Sequence, residues 1–275
     1  MAIDLQVVRR TLAERYDVDY VLGRGTMADV FFGRERESGS AVAIKVLKPE
    51  FAVTLVGDRF HREVSILSRL VHPNILPLID SGEERSVVYY VMPCATGGTL
   101  KGRLEKEERL SLEDAIAIAR DVAAALDYSH SQGIVHRDIK PGNIVFEGGR
   151  SLICDFGIAK AMLEAAGDRI SSSGLVVGTP HYMSPEQASG AAELDGRSDV
   201  YSLACVVFEM LIGEPPFTGA SAQAVMAKHV RERPPSARVV RPDIPEHVES
   251  ALSRALAKNA GERPGSGGEL AGLLG

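Results

Sequence analysis

His136-Arg137-Asp138-Ile139-Lys140-Pro141-Gly142-Asn143 is followed, twelve residues after Asn143, by Asp155-Phe156-Gly157. Two carboxylates, an amide, an ammonium and a guanidinium thus gather in one short stretch of chain. Apolar runs flank them: Ile134-Val135 before, Ile144-Val145-Phe146 and Leu152-Ile153-Cys154 after. These runs are short and rich in β-branched residues, so they read as strands, and the polar cluster falls in the loops those strands hold still. Carboxylates with a side-chain amide are hard oxygen donors that suit Mg²⁺ better than zinc or copper. An Asp beside a Lys suits a hydroxyl nucleophile and a phosphoryl group.

Composition bounds the rest. The chain has 275 residues, 45% hydrophobic and 25% charged, which is ordinary for a globular protein and long enough for two lobes. A net charge of -6 argues against a nucleic-acid surface. Three cysteines, Cys94, Cys154 and Cys205, sit in apolar contexts with no CxxC spacing, which points to a reducing compartment and away from zinc. The start, Met1-Ala2-Ile3-Asp4-Leu5, lacks the basic region and apolar core of a signal peptide. No apolar run reaches the roughly 18 residues of a membrane span, so a cytoplasmic location is expected, with a membrane anchor in a longer parent left open.

From the N-terminus, Leu5, Val8 and Leu12 recur at helical spacing. Strands are expected at Tyr16–Leu22, Val30–Gly33 and Ala41–Leu47, with a glycine turn, Gly23-Arg24-Gly25-Thr26-Met27-Ala28, between the first two. That turn joins two strands and precedes no helix, which separates it from a dinucleotide fingerprint. Lys45 lies inside the third strand, where an ammonium is unfavourable unless it meets an anion. Glycines followed at this interval by such a Lys fit a lid and an anchor for phosphates.

A helix is expected at 59–71, carrying Glu63 near its apolar face and stopped by His72-Pro73. Two more strands, Leu76–Ile79 and Val87–Met92, are expected to complete a five-stranded antiparallel lobe, with Ser81–Glu84 as their turn. Pro93 to Gly98 breaks periodicity and reads as a linker. The remainder is helical: from Ser111 to a stop at Gly133, a buried helix over Val200–Ile212, and helices near 221–232, 246–258 and 267–274. Residues 158–184 show little regular pattern and include Ser171-Ser172-Ser173, a loop long enough to read as functional.

The order and spacing of these parts resemble the eukaryotic-like (Hanks-type) serine/threonine protein kinases, bacterial branch, over roughly residues 16–270. The resemblance implies an α+β, two-lobed fold. Residues 1–15 would be a helical extension, 16–93 the N-lobe, 94–98 the hinge and 99–275 the C-lobe. It implies that the loop Leu22-Gly23-Arg24-Gly25-Thr26-Met27-Ala28-Asp29-Val30 covers ATP, with Ala28 in the third glycine position. Lys45 would bind the α- and β-phosphates and pair with Glu63. Asp138 would accept the substrate hydroxyl proton, and Lys140 would neutralise the γ-phosphoryl. Asn143 and Asp155 would hold Mg²⁺, with Mn²⁺ as the alternative ion. Met92 would guard the adenine pocket, Pro93 and Ala95 would meet adenine through backbone groups, and Ala43 and Val145 complete the ATP-binding set.

Within Ser184-Pro185-Glu186, Glu186 would pair with Arg263, and Asp199 would brace the catalytic loop. Leu67, Leu78, His136 and Phe156 would stack as a spine, with Gly157 completing the metal-binding loop. Arg137 beside Asp138 implies a site activated by phosphate on the downstream segment, Ser171 and Ser173 fitting best and Thr179 reading as a substrate-loop residue. Protein substrates and a homodimer for trans-autophosphorylation are the partners implied. A small-molecule phosphotransferase would lack the Ser-Pro-Glu segment and its arginine, and a non-catalytic scaffold would have lost Lys45, Asp138, Asn143 or Asp155; all are present.

Overall fold

The computed structural model describes residues 2–55, 64, 65, 67–156, 180–191 and 193–275. Glu63, Gly157, Ser171, Ser172, Ser173 and Thr179 lie outside the described residues. Two compact units take up the chain: the first within 2–71 and 76–95, the second within 72–75, 96–156 and 180–275.

The first unit is built on an antiparallel sheet of five strands, β1 (Tyr16–Arg24), β2 (Ala28–Glu35), β3 (Ala41–Leu47), β4 (Asp80–Glu84) and β5 (Val87–Pro93), in spatial order β1-β2-β3-β5-β4. The period of two separates its faces. On one face, Phe31, Val42, Ile44, Val46, Val87, Tyr89 and Val91 form a core with Val8, Leu12 and Tyr16. Helix α1 (Leu5–Thr11) contributes to that core, as its i, i+3, i+7 pattern required. The Asp4 side chain caps it by accepting from the Gln6 N–H at 2.8 Å. Arg9 Nε donates to the Val18 carbonyl at 2.7 Å, satisfying a group on the edge strand β1.

The opposite face carries Ala28, Leu47 and Val88, packed with Ala52 of α2 (Pro49–Leu55), with Val64 and against Leu67 and Leu78. Residues 64, 65 and 67 are helical; the rest of the helix expected at 59–71 lies outside the described residues up to 63 and ends in a turn by 69. One strand expectation needs correction. Leu76–Ile79 is not a strand; β4 instead occupies Asp80–Glu84, the residues read as a turn. The reversal sits at Arg85-Ser86, both at positive φ (50° and 67°) without glycine. Pairing with the apolar β5 overrides the weak strand propensity of Asp80-Ser81-Gly82-Glu83-Glu84.

The second unit is mostly helical. After α3 (Leu100–Glu107), the 20-residue α4 (Leu112–Ser131) starts at Ser111, whose Oγ accepts from the Asp114 N–H at 3.0 Å. Hairpin β6 (Ile144–Glu147) and β7 (Arg150–Ile153) follows, as the apolar runs required. After a short α5 (Pro185–Ala188) comes α6 (Gly196–Ile212), buried from Ser198 through Phe208 and closed by Gly213 at φ 100°. Burial of each large side chain there contributes about 1.5–3 kcal/mol, so α6 is the rigid axis of the unit. Helices α7 (Ala222–Arg231), α8 (Ala237–Val240), α9 (Glu246–Ala255) and α10 (Gly267–Leu274) complete it. Helices α2, α3, α5 and α8 were not read from the sequence. Among the described residues, no helix is long and apolar enough to cross a membrane.

Candidate active site

Helix α6 presents Asp199, almost fully buried, to the loop His136–Asn143. A buried carboxylate is stable only with donors around it, and here three converge. The His136 N–H (2.7 Å) and the His130 Nε2 (2.8 Å) meet Oδ2, and the Arg137 N–H (2.8 Å) meets Oδ1. Two consecutive backbone N–H groups are thereby held, and Arg137 takes a left-handed φ of 66°. The Arg137 carbonyl accepts from Gln187 Nε2 at 2.9 Å. Strain of this kind persists only where the surroundings over-determine it.

His136 is fully buried, and burial pushes its pKa down against the nearby Asp199 charge, so the ring is neutral. Its Nε2 lies 3.0 Å from the Cys154 carbonyl and its Nδ1 accepts from the Asp138 N–H at 3.3 Å, which assigns the Nε2–H tautomer. The ring packs on Phe156 with centroids 4.6 Å apart.

Asp138 then stands at the centre of a polar cluster. Its Oδ2 receives Lys140 Nζ at 2.6 Å and Asn143 Nδ2 at 3.0 Å, and Asn143 Nδ2 also meets the Asp138 carbonyl at 2.9 Å. The backbone of Asn143 is tied to the next strand, since Cys154 N donates to the Asn143 carbonyl at 2.9 Å. Asp155 follows at φ 60°. With its nitrogen committed to Asp138, Asn143 has a carbonyl oxygen to offer a cation, and Asp155 a carboxylate. This donor set fits Mg²⁺, which keeps waters and substrate phosphates and needs few protein ligands. Among the described residues there is no cluster of three or more His, Cys, Asp or Glu side chains that could hold a metal.

Further along, Glu186 and Arg263 form a two-point pair, Nη1–Oε1 at 2.7 Å and Nη2–Oε2 at 2.8 Å. Arg263 is buried, donates to the carbonyls of Ala257, Arg197 and Lys258, and stacks over Tyr201 at 4.8 Å. Burial alone would raise the Glu186 pKa, but the guanidinium and the Ser198 hydroxyl, 2.5 Å away, outweigh it and hold it at about 2. Tyr182 Oη donates to Glu209 at 2.6 Å, and burial pushes both groups up.

In the first unit, register places Val30, Lys45 and Tyr90 side by side on one face, with Ala43 beside Met92. Lys45 Nζ stands 5.4 Å from the Tyr90 ring centroid. The turn at 24–27 is tight: Gly25 N donates to the Ala28 carbonyl at 2.8 Å, and a Cβ on Gly25 would stand 2.8 Å from that oxygen. Leu22 to Thr26 are exposed, and Pro93 ends β5 opposite Val42.

One side chain of the expected ATP loop faces away from Lys45. The Asp29 side chain is fully buried on the sheet face opposite Lys45 and accepts from the Ile3 N–H at 3.0 Å, so it stands at the rear of the turn. The alternation along β2 forces this, since Val30 and Ala28 take the other face. Gln187 was missed although its signal was legible: Ser184-Pro185-Glu186-Gln187 is a capping box, both halves formed, and the same amide reaches Arg137. Ser198 and Glu209 were missed because single polar residues in a helix carry no signal until their partners are known.

A family model described as the protein kinase domain matches residues 16–269. The probable serine/threonine-protein kinase PknB of Bifidobacterium longum is 41% identical over 269 residues, covering 93% of this chain and 38% of that protein. The serine/threonine-protein kinase PknB of Mycobacterium tuberculosis is 39% identical over 267 residues, covering 94% and 42%. The chain therefore spans about two fifths of the length of these relatives. Among solved structures, Rad53 1-466 in complex with AMP-PNP is similar with a TM-score of 0.79 at 25% identity, covering 94% of this chain and 65% of that one. Motif order, the two α+β units and these likenesses agree: the chain belongs to the protein kinase domain family, on its bacterial Hanks-type serine/threonine branch.

Proposed function

We propose that this chain is the catalytic domain of an ATP- and Mg²⁺-dependent protein serine/threonine kinase. The observation that carries the proposal is the Asp138 carboxylate, one oxygen of which is held by both an ammonium and an amide within 3.0 Å. A carboxylate fixed in this way can orient a hydroxyl and accept its proton as the oxygen attacks phosphorus, a contribution of about 10²–10⁴ in rate. Lys140, on the same carboxylate, is placed to offset charge on the transferring phosphoryl. Lys45 and the turn at 24–27 are assigned to the ATP phosphates, and Ala43, Met92, Pro93, Ala95 and Val145 to adenine. Asn143 and Asp155 would hold Mg²⁺, or Mn²⁺ in its place, and the ion would neutralise phosphate charge.

The segment 180–186 is assigned to the protein substrate. The pair Glu186–Arg263 supports this, because it anchors the segment to the helical unit. Activation by autophosphorylation at Ser171 or Ser173, in trans within a homodimer, follows from Arg137 next to Asp138. The proposal divides the chain into an extension (1–15), N-lobe (16–93), hinge (94–98) and C-lobe (99–275). A cytoplasmic location goes with it, since such a domain works where ATP is kept.

The test is incubation with ATP, Mg²⁺ and a generic basic protein, followed by mass spectrometry. Phosphate is expected on Ser and Thr of the substrate and within residues 171–179. Asp138→Asn should lower kcat by about 10²–10⁴ with stability unchanged. Full activity of that variant would exclude the assigned mechanism.

A further inference from the structure

Among the described residues, Asp29 is the one carboxylate of the first unit with no solvent exposure, and three separate segments meet it. From the N-terminal segment, the Ile3 N–H reaches Oδ2 at 3.0 Å. From the glycine turn, Arg24 Nη1 reaches the same oxygen at 3.0 Å. From the end of β3, Lys48 Nζ stands 3.9 Å from Oδ1, an oxygen with no hydrogen-bond partner among the described residues. A buried carboxylate left this close to under-satisfied depends strongly on each donor it has.

The same residues grip the turn. Lys48 Nζ donates to the Gly25 carbonyl at 2.5 Å and Lys48 N to the Met27 carbonyl at 2.9 Å. With Arg24, this fastens the turn at three points, residues 24, 25 and 27, two of them on its backbone. The N-terminal segment is itself anchored independently, through the buried Val8 and Leu12 and the Asp4 cap.

We propose that the segment before the sheet is a brace for the glycine turn, with Asp29 as the positioning residue that couples them. The Ile3 N–H holds Asp29 in place; Asp29 holds Arg24 and attracts Lys48; Lys48 holds the backbone of Gly25 and Met27. Release of the first contact loosens the turn and weakens whatever its backbone N–H groups grip. That this grip is on ATP phosphates rests on the function proposed above, whereas the mechanical coupling does not.

The test uses the full chain and Ile3→Pro, which removes the N–H donor and keeps an apolar side chain, with Ile3→Val as the variant that keeps the donor. Two quantities are read: amide hydrogen exchange of residues 23–28 without nucleotide, and KM for ATP against kcat on a basic protein. Ile3→Pro should speed exchange in the turn and raise KM for ATP by roughly tenfold, the order expected of one charge-assisted hydrogen bond, with kcat within about twofold. Ile3→Val should do neither. Should Ile3→Pro disturb the fold, Asp29→Asn removes the charge from the same point and should give the same split. Turn exchange and KM unchanged in both variants would overturn the proposal. So would a lowered Tm with exchange raised evenly over the sheet, the mark of a merely structural contact. A parent chain without kinase activity would count against the functional reading, and the exchange comparison alone would then decide the brace.

Discussion

Asp199 and Asp29 do the same job in two units and do it differently. Each is a buried carboxylate that organises a loop from behind. Asp199 projects from the most deeply buried helix and takes three short hydrogen bonds, two from consecutive backbone N–H groups of the loop it controls. Asp29 sits at the start of β2, shares its Oδ2 between a backbone N–H and a half-exposed arginine, and among the described residues has only a lysine, at 3.9 Å, near Oδ1. One loop is held through two of its own N–H groups from a rigid axis, the other in large part by the long side chains of Lys48 and the half-exposed Arg24. A loop that aligns a proton acceptor needs fixed geometry. A lid over a ligand that must enter and leave tolerates a weaker hold.

The comparison breaks first at Asp199. Asp199→Ala removes the acceptor from two buried N–H groups and His130, and should destabilise by about 3–5 kcal/mol in urea denaturation and abolish measurable turnover. Asp199→Asn, which keeps shape but adds a donor facing two donors, should fall between that variant and the parent; parental stability for Asp199→Ala would show that the loop is held by something else.

A second, smaller effect belongs to Glu186 and Arg263. The Glu186 pKa is depressed from 4.5 to about 2, so its contribution is present above pH 4.5 and lost as pH falls towards 2. At about 1.36 kcal/mol per unit this is on the order of 3 kcal/mol. Arg263→Met should flatten the loss of stability between pH 4.5 and 2 in denaturation series, and an unchanged acid limb would refute the assignment. Smallest is Arg24→Ala. Arg24 is half exposed, so its pair with Asp29 should contribute no more than about 1 kcal/mol, salt-dependent, to stability. The comparison sharpens if salt weakens the parent's affinity for ATP but not its kcat.

Much of the site was legible because its chemistry conflicts with its surroundings. Lys45 inside Ile44 and Val46, or Asp138 and Asn143 between apolar runs, have no explanation as core residues. Hydrophobic period placed α1, β1–β3, β5 and the long helices. What stayed hidden had no local signal. Strand β4 is polar and exists through its pairing with β5. Ser198 became meaningful only once Glu186 was 2.5 Å away.

Asp29 marks the boundary between the two kinds of information. By itself the sequence determined the family, the order of the parts and the identity of the charged groups, because those rest on residue type and spacing. Only the tertiary structure decided which face of β2 Asp29 takes and that an N–H from twenty-six residues upstream meets it there. Strand alternation allows either face to be buried, and the choice is made by what packs on each: α1 and its core on one side, the side chains around Lys45 on the other.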